Sequence, residues 1–223
     1  MNIFVAGASG AIGRPLLTEL VRQGHAVTGM TNSDAGARVI AGLGAAVAQV
    51  SAFDAPGLER ALQESRAEVV IDELTALPRH PSEMAAAAAG DRKLRLEGGG
   101  NLHRAARACG VRRYLQQSSG FFLKPGRRLA DESEGLAVDA SPRVAANARA
   151  YAEQESRVLT AEGIEGVALR YGFFYGPGTW YHPDGASAAQ VRRQELPIIG
   201  DGGGVWSWIH IDDVVHAGRR PGR

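Results

Sequence analysis

A single cysteine, Cys109, in 223 residues excludes an internal disulfide framework. No apolar run approaches the roughly 18 to 20 residues that a membrane-spanning helix needs. The first residues, MNIFVAGASG, carry neither a basic leader nor a long apolar core, so a cytoplasmic chain is expected. Charge of one sign is missing as well. The formal net charge of +1 supplies no field that would recruit nucleic acid or an anionic membrane. What remains is enough chain to bury the core of one large domain, or of one domain with a small appendage.

Strand and helix patterns alternate along the chain. The apolar run NIFVA is followed by GASGAIG and then by RPLLTELVRQGH, which reads as strand, glycine turn and amphipathic helix, ended by Gly24. HAVTGMT gives a second strand, 35–43 a helix, 46–50 a strand and 56–64 a helix, with Pro56 in its first turn and Asp54 as candidate cap. EVVID, an Ala-rich helix approaching Cys109, VRRYLQQ, a long helix over 144–162 and GVALRY continue the series. This order predicts a three-layer, doubly wound parallel sheet of the Rossmann type, with ligands at the carboxyl ends of the strands. The polar stretch 120–142, holding Asp131, Glu132 and Glu134, is expected to form a loop on that side.

Gly7, Gly10 and Gly13 lie between the first strand and first helix. A dinucleotide pyrophosphate requires such a turn: tight, open to close backbone approach and ending on the N–H groups of a helix. The binding segment is therefore Gly7, Ser9, Gly10, Ala11, Ile12 and Gly13. The spacing is GxxGxxG, not GxGxxG. Together with EVVIDELTALP, RRYLQQSSG, LRYGFFYGPG and IIGDGGGVWSWIHIDD, it resembles the extended and atypical short-chain dehydrogenase/reductases, the NAD-dependent epimerase/dehydratase superfamily. The resemblance runs over nearly the whole chain.

It implies NAD or NADP as cofactor. An NAD enzyme of this kind would carry a carboxylate at the end of the second strand, where this chain reads GMTNS. Asn32 and Ser33, with Arg14, are then the candidates to meet a 2′-phosphate, which favours NADP. Leu74, Thr75 and Ala76 fall where relatives pass under the cofactor, whereas their neighbours Asp72 and Glu73 receive no role from the sequence. Redox members of the family use a serine after the fifth strand and Tyr-x-x-x-Lys on the next helix, the lysine lowering the tyrosine pKa. Ser119 matches the serine, although with Ser118 it equally suits a strand end. Setting Glu153 as the glutamate eight residues after the tyrosine puts Ala145 and Arg149 at the tyrosine and lysine positions. On this register Arg149 is a candidate for a ribose hydroxyl or phosphate, or a solvated side chain, and Tyr151 is a packing residue on the opposite face.

Phe173, Phe174 and Tyr175 are placed near the nicotinamide and substrate, or else form a plug beneath their loop. Tyr175, or Tyr181 and His182, would supply a proton in place of the missing tyrosine. Sugar-nucleotide relatives hold the substrate diphosphate with an arginine four positions before His210, and here that residue is Trp206. A less charged, more apolar small molecule is the expected substrate. His210, Asp212 and Asp213 read as a helix start in preference to a metal site. Relatives continue past this point, so residues 1–171 are expected to form the dinucleotide domain and 172–223 a short, incomplete substrate lobe, with apolar surface available to a homodimer and a solvated tail carrying Arg219, Arg220 and Arg223. Two functions stay open: an oxidoreductase or epimerase-like enzyme with an atypical site, and a non-catalytic dinucleotide sensor, an inactive truncated relative being a third reading.

Overall fold

The computed structural model describes residues 1–126 and 129–217; the arginines of the expected tail lie outside them. Six strands form one parallel sheet: β1 Asn2–Ala6, β2 Ala26–Thr31, β3 Ala46–Gln49, β4 Val69–Asp72, β5 Arg113–Ser119 and β6 Glu165–Tyr171. Their order is β3-β2-β1-β4-β5-β6, the doubly wound topology that the alternation predicts. The crossovers run through α1 Gly13–Arg22, α2 Asp34–Gly42, α3 Ala55–Ser65, α4 Met84–Lys93 with α5 Gly99–Ala108, and α6 Pro142–Leu159.

Alternation within β1 explains the two cores. Phe4 and Ala6 join Leu58, Leu62, Val70, Leu102 and Tyr114 on one face, while Ile3 and Val5 join Leu16, Leu17, Leu20, Ile40 and Ile71 on the other. Each fully buried leucine contributes about 1.5–3 kcal/mol, so α1, which buries three, is held firmly on the sheet. Asp54 caps α3, its Oδ1 accepting from the Gly57 N–H at 3.0 Å.

Two elements depart from the expectation. The single Ala-rich helix is interrupted by a π-helical turn, Leu94–Gly98. Arg157 of α6 explains how the break is tolerated, since its guanidinium donates to the carbonyls of Arg95 and Leu96 at 3.3 and 3.1 Å. The loop GFFYGPG, in turn, begins as a strand: β7 Phe173–Tyr175 pairs in parallel with β8 Trp208–His210. Between them lies α7 Ala186–Arg192, and after them α8 Ile211–Ala217 returns to the main sheet, where Val214 and Val215 are buried with Ile12, Tyr171 and residues of α1. Ile198, Ile199 and Val205 are 82, 85 and 91% exposed. Among the described residues no helix is long and apolar enough to cross a membrane.

Candidate active site

At the carboxyl end of β1 the chain turns at Gly7 with φ +73°, and a Cβ there would stand 2.5 Å from the carbonyl oxygen of Glu73. Gly13 lies as close: a Cβ would be 2.3 Å from the Gly7 oxygen. Gly10 differs. It is exposed, its N–H donates to the Gly7 oxygen at 3.0 Å, and a Cβ would meet only that oxygen at 3.1 Å. Two glycines therefore permit the fold of the turn, and the third keeps its outer side open. Helix α1 follows with no side-chain cap and no acidic residue in its first turn, leaving N–H groups and the positive end of the helix dipole for an anion. Ser9 and Ala11 flank the open position, half-buried, and the Ile12 side chain is in the core, so Ile12 offers only its backbone. These residues fit a dinucleotide pyrophosphate.

The ribose end is mixed. Asn32 is exposed at the end of β2, as a ligand contact requires. Ser33 is already engaged, because its Oγ caps α2 by accepting from the Gly36 N–H at 3.1 Å. Arg14 is exposed, and its Nε donates to the Gly10 carbonyl at 3.3 Å.

Asp72 and Glu73, without a role in the sequence pattern, are both buried at the end of β4. Asp72 accepts from the Tyr114 hydroxyl at 2.7 Å and from the Leu74 N–H at 3.0 Å, which pins the backbone entering the loop; the Leu74 side chain packs on the core. The Ala76 N–H is held by Asp91 at 2.7 Å, and Thr75 between them is half-buried. Glu73 Oε2 has no hydrogen-bond partner among the described residues. Burial, reinforced by the Asp72 charge and opposed by Arg95, pushes its carboxyl up to about 8. A raised carboxyl stabilises the fold fully below the unfolded value of about 4.3, and that stability is lost as pH rises towards 8. The Glu73→Gln variant is accordingly expected to melt at higher temperature than the parent at about pH 8 and to match it at about pH 4. Melts that fall in parallel with pH would remove this reading.

Helix α6 turns a different glutamate towards the sheet from the one that set the sequence register. Glu155, not Glu153, is drawn into the sheet: its carboxylate receives Arg170 Nη2 and Nε at 2.6 and 2.8 Å and the Ser118 hydroxyl at 2.5 Å. Glu153 is exposed. Counting back from Glu155 moves the tyrosine and lysine positions from Ala145 and Arg149 to Asn147, which is half-buried, and Tyr151. Arg149, read as a cofactor ligand, lies on the exposed face of α6, roughly 200° around the helix from Tyr151. Tyr151 points inward, stacked on Phe122 at 5.3 Å between centroids, with the Arg95 guanidinium 5.0 Å from its ring centre. The position that the resemblance gives to the tyrosine holds alanine in one register and asparagine in the other.

A model of the NAD dependent epimerase/dehydratase family matches residues 3–219. The chain belongs to this family. It is 41% identical to a 3-diazoavenalumate denitrifying reductase of Streptomyces sp, over 97% of this chain and 70% of that protein. The UDP-glucose 4-epimerase of Thermus thermophilus, solved with NAD, is 25% identical with a TM-score of 0.72, over 98% of this chain and 73% of that one. The Thermotoga maritima UDP-glucose 4-epimerase, solved with UDP-glucose, is also 25% identical, with a TM-score of 0.74 over 97% and 72%. A dTDP-glucose 4,6-dehydratase of Streptomyces venezuelae, at 21% identity and TM-score 0.75 over 97% and 70%, shares the fold. The protein is thus a nicotinamide-dinucleotide-dependent enzyme of the oxidoreductase and epimerase/dehydratase type.

Within this epimerase/dehydratase chain, Ser119 ends β5 buried, its Oγ accepting from the Phe121 N–H at 3.2 Å. Phe121 stacks on Phe173 at 3.9 Å, so the candidate serine and the candidate aromatic belong to one assembly. Phe174 faces Tyr171 in the core. Tyr175 is 42% exposed and meets His210 edge-on at 4.9 Å. His210 Nδ1 accepts from the Asp212 N–H at 3.2 Å at the start of α8, and His182 makes the same contact with Asp184. Neither the Arg95 contact with Tyr151 nor the Glu155 clamp was legible beforehand, because both join segments far apart in sequence.

Proposed function

We propose that this enzyme binds NADP(H) in preference to NAD(H) and reduces a small organic substrate by hydride delivery to a carbon bearing a leaving group, a diazo group being the first candidate. The observation that carries the reading is the lack of a tyrosine at Ala145 and at Asn147, the positions that registers counted from Glu153 and from Glu155 give to the family's tyrosine. Reduction of a carbonyl needs a proton donor at the oxygen, and a carboxamide does not give up a proton near neutral pH. A bound reduced nicotinamide supplies the hydride. At a diazonium carbon, C–H bond formation with that hydride pair would be balanced by cleavage of the C–N bond, its pair passing to nitrogen as N2 departs, so the chain need supply no proton. The 41% identity to a denitrifying reductase of a diazo compound supports this chemistry over epimerisation.

The residues divide the work. Gly7, Gly10, Gly13 and the N-terminus of α1 would hold the pyrophosphate, while Leu74, Thr75 and Ala76 follow a β4 end braced by Asp72 and Asp91. Asn32 and Arg14, in the absence of a carboxylate at Thr31, favour the 2′-phosphate. Ser119 and Phe173 stand at the substrate side, Ser119 as an orienting hydroxyl. Tyr175, paired with His210, is the remaining candidate for a proton donor and is dispensable on this mechanism.

The test is reduction of an arenediazonium salt with cofactor deuterated at the nicotinamide C4, alongside calorimetric titration of both dinucleotides. Enzyme-dependent N2 release with deuterium from the cofactor, none from heavy water, and tighter binding of NADPH are expected. Label taken from solvent, or binding without turnover, would overturn the mechanism.

A further inference from the structure

The chain is poor in aromatic residues, 6% in all, yet it gathers them beside Ser119. Phe173, the first residue of β7, is the hub. Its ring stacks on Phe121 at 3.9 Å and 23°, meets Trp206 at 5.3 Å and 70°, lies 5.2 Å from Trp208 and receives Tyr181 edge-on at 5.6 Å. Tyr181 also stands perpendicular to Trp208 at 4.7 Å. The assembly is continued by Phe122, 6.5 Å from Phe121, to Tyr151 on α6.

These rings are not a core. Trp206, Trp208 and Phe121 are 58, 48 and 38% exposed, whereas the buried clusters on the two sheet faces are mainly aliphatic. Rings that contact one another face to face and edge to face while keeping so much surface free present an open wall of π faces and ring edges. The wall starts at the Ser119 hydroxyl, through the Phe121 N–H, and is built from the turn that follows β5, from the β7–β8 pair and from the chain between those two strands. It therefore occupies the side of the sheet where ligands of doubly wound folds bind.

We propose that this wall is the substrate subsite and that it selects a planar aromatic body, with Phe173 as the specificity-determining residue. The proposal rests on the reading of this cleft as the substrate site, not on the diazo chemistry. A flat ring gains stacked and edge contacts with Phe173, Trp206 and Trp208 that a puckered saturated ring of equal size cannot make.

Two alcohols separate these cases: cinnamyl alcohol and 3-cyclohexylpropan-1-ol, titrated by saturation-transfer NMR against the full chain with NADP+ present. The aromatic alcohol is expected to bind about tenfold tighter than the saturated one. Phe173→Leu should lower its affinity by about tenfold and leave that of the saturated alcohol unchanged. Trp208→Leu, at a half-exposed position, gives the same test should the first variant fail to fold. Equal binding of the two alcohols, or affinity for cinnamyl alcohol unmoved in the folded variant, overturns the proposal. Failure of N2 release with intact aromatic selectivity would count against the mechanism alone.

Discussion

Replacing Gly13 by valine is expected to abolish dinucleotide binding and to lower the melting temperature of the protein. The cause is steric. A Cβ at this position would lie 2.3 Å from the Gly7 oxygen and 2.6 Å from the Ala8 carbonyl carbon and oxygen, all backbone atoms that cannot swing aside. The first turn of α1 must then move away from β1, and the N–H groups it presents move with it. Overpacking of this kind costs about 1–3 kcal/mol, which is roughly 2–12 °C for a chain of this length. Gly10→Ala is the informative companion, because its Cβ would face only one oxygen at 3.1 Å. It should melt near the parent while binding NADP(H) far more weakly, since the added methyl projects to the open side. Calorimetry and thermal melts on the two variants check both halves; a Gly13→Val protein that binds normally would refute the cradle.

The second large effect is expected at Glu155. Its side chain is 6% exposed and takes both Arg170 and Ser118, so among the described residues Glu155→Ala leaves the part-buried guanidinium hydrogen-bonded to the carbonyls of Glu132 and Glu134. Breaking one partner of a fully buried pair costs about 3–5 kcal/mol, and the part-exposed arginine puts this pair below that range. Glu155→Gln, which keeps a hydrogen-bonding oxygen, should lose less. Burial raises this carboxyl, but the bonds from Arg170 and Ser118 and the arginine charge outweigh it and hold it below the ordinary value. The sign is opposite to that at Glu73. The contribution is present above the unfolded pKa of about 4.3 and disappears as pH falls through the lower folded value. Denaturant melts should show the penalty of Glu155→Gln at pH 7 and its shrinkage at pH 3, and a penalty independent of pH would refute the charged pair.

The two carboxylates also show what kind of information the sequence holds. The cradle was legible because seven consecutive residues, Gly7 to Gly13, contain nearly all of it, and their geometry follows from backbone sterics. The face of α6 was not. Glu153 and Glu155 are both acidic and two residues apart, so they point roughly 200° away from each other. Choosing between them requires knowing which one Arg170, on a separate strand, can reach. Tyr151 was accordingly assigned to packing and Arg149 to the cofactor; the fold does pack the tyrosine, inward against Arg95 and Phe122, but leaves the arginine in solvent. The parallel pairing of β7 with β8 escaped notice for a similar reason, each strand being three residues long and more than 30 residues from its partner.

By itself the sequence determined the doubly wound sheet and the glycine cradle at the end of β1. Periodicity, glycine sterics and the lack of a tyrosine at both Ala145 and Asn147 are local properties of the chain. Tertiary structure alone decided which α6 row meets the site, where Asp72 and Glu73 are buried, and that Phe121, Phe173 and Trp208 form one wall. These depend on contacts between distant segments, whose burial and charge environment exist only once the sheet has brought them together.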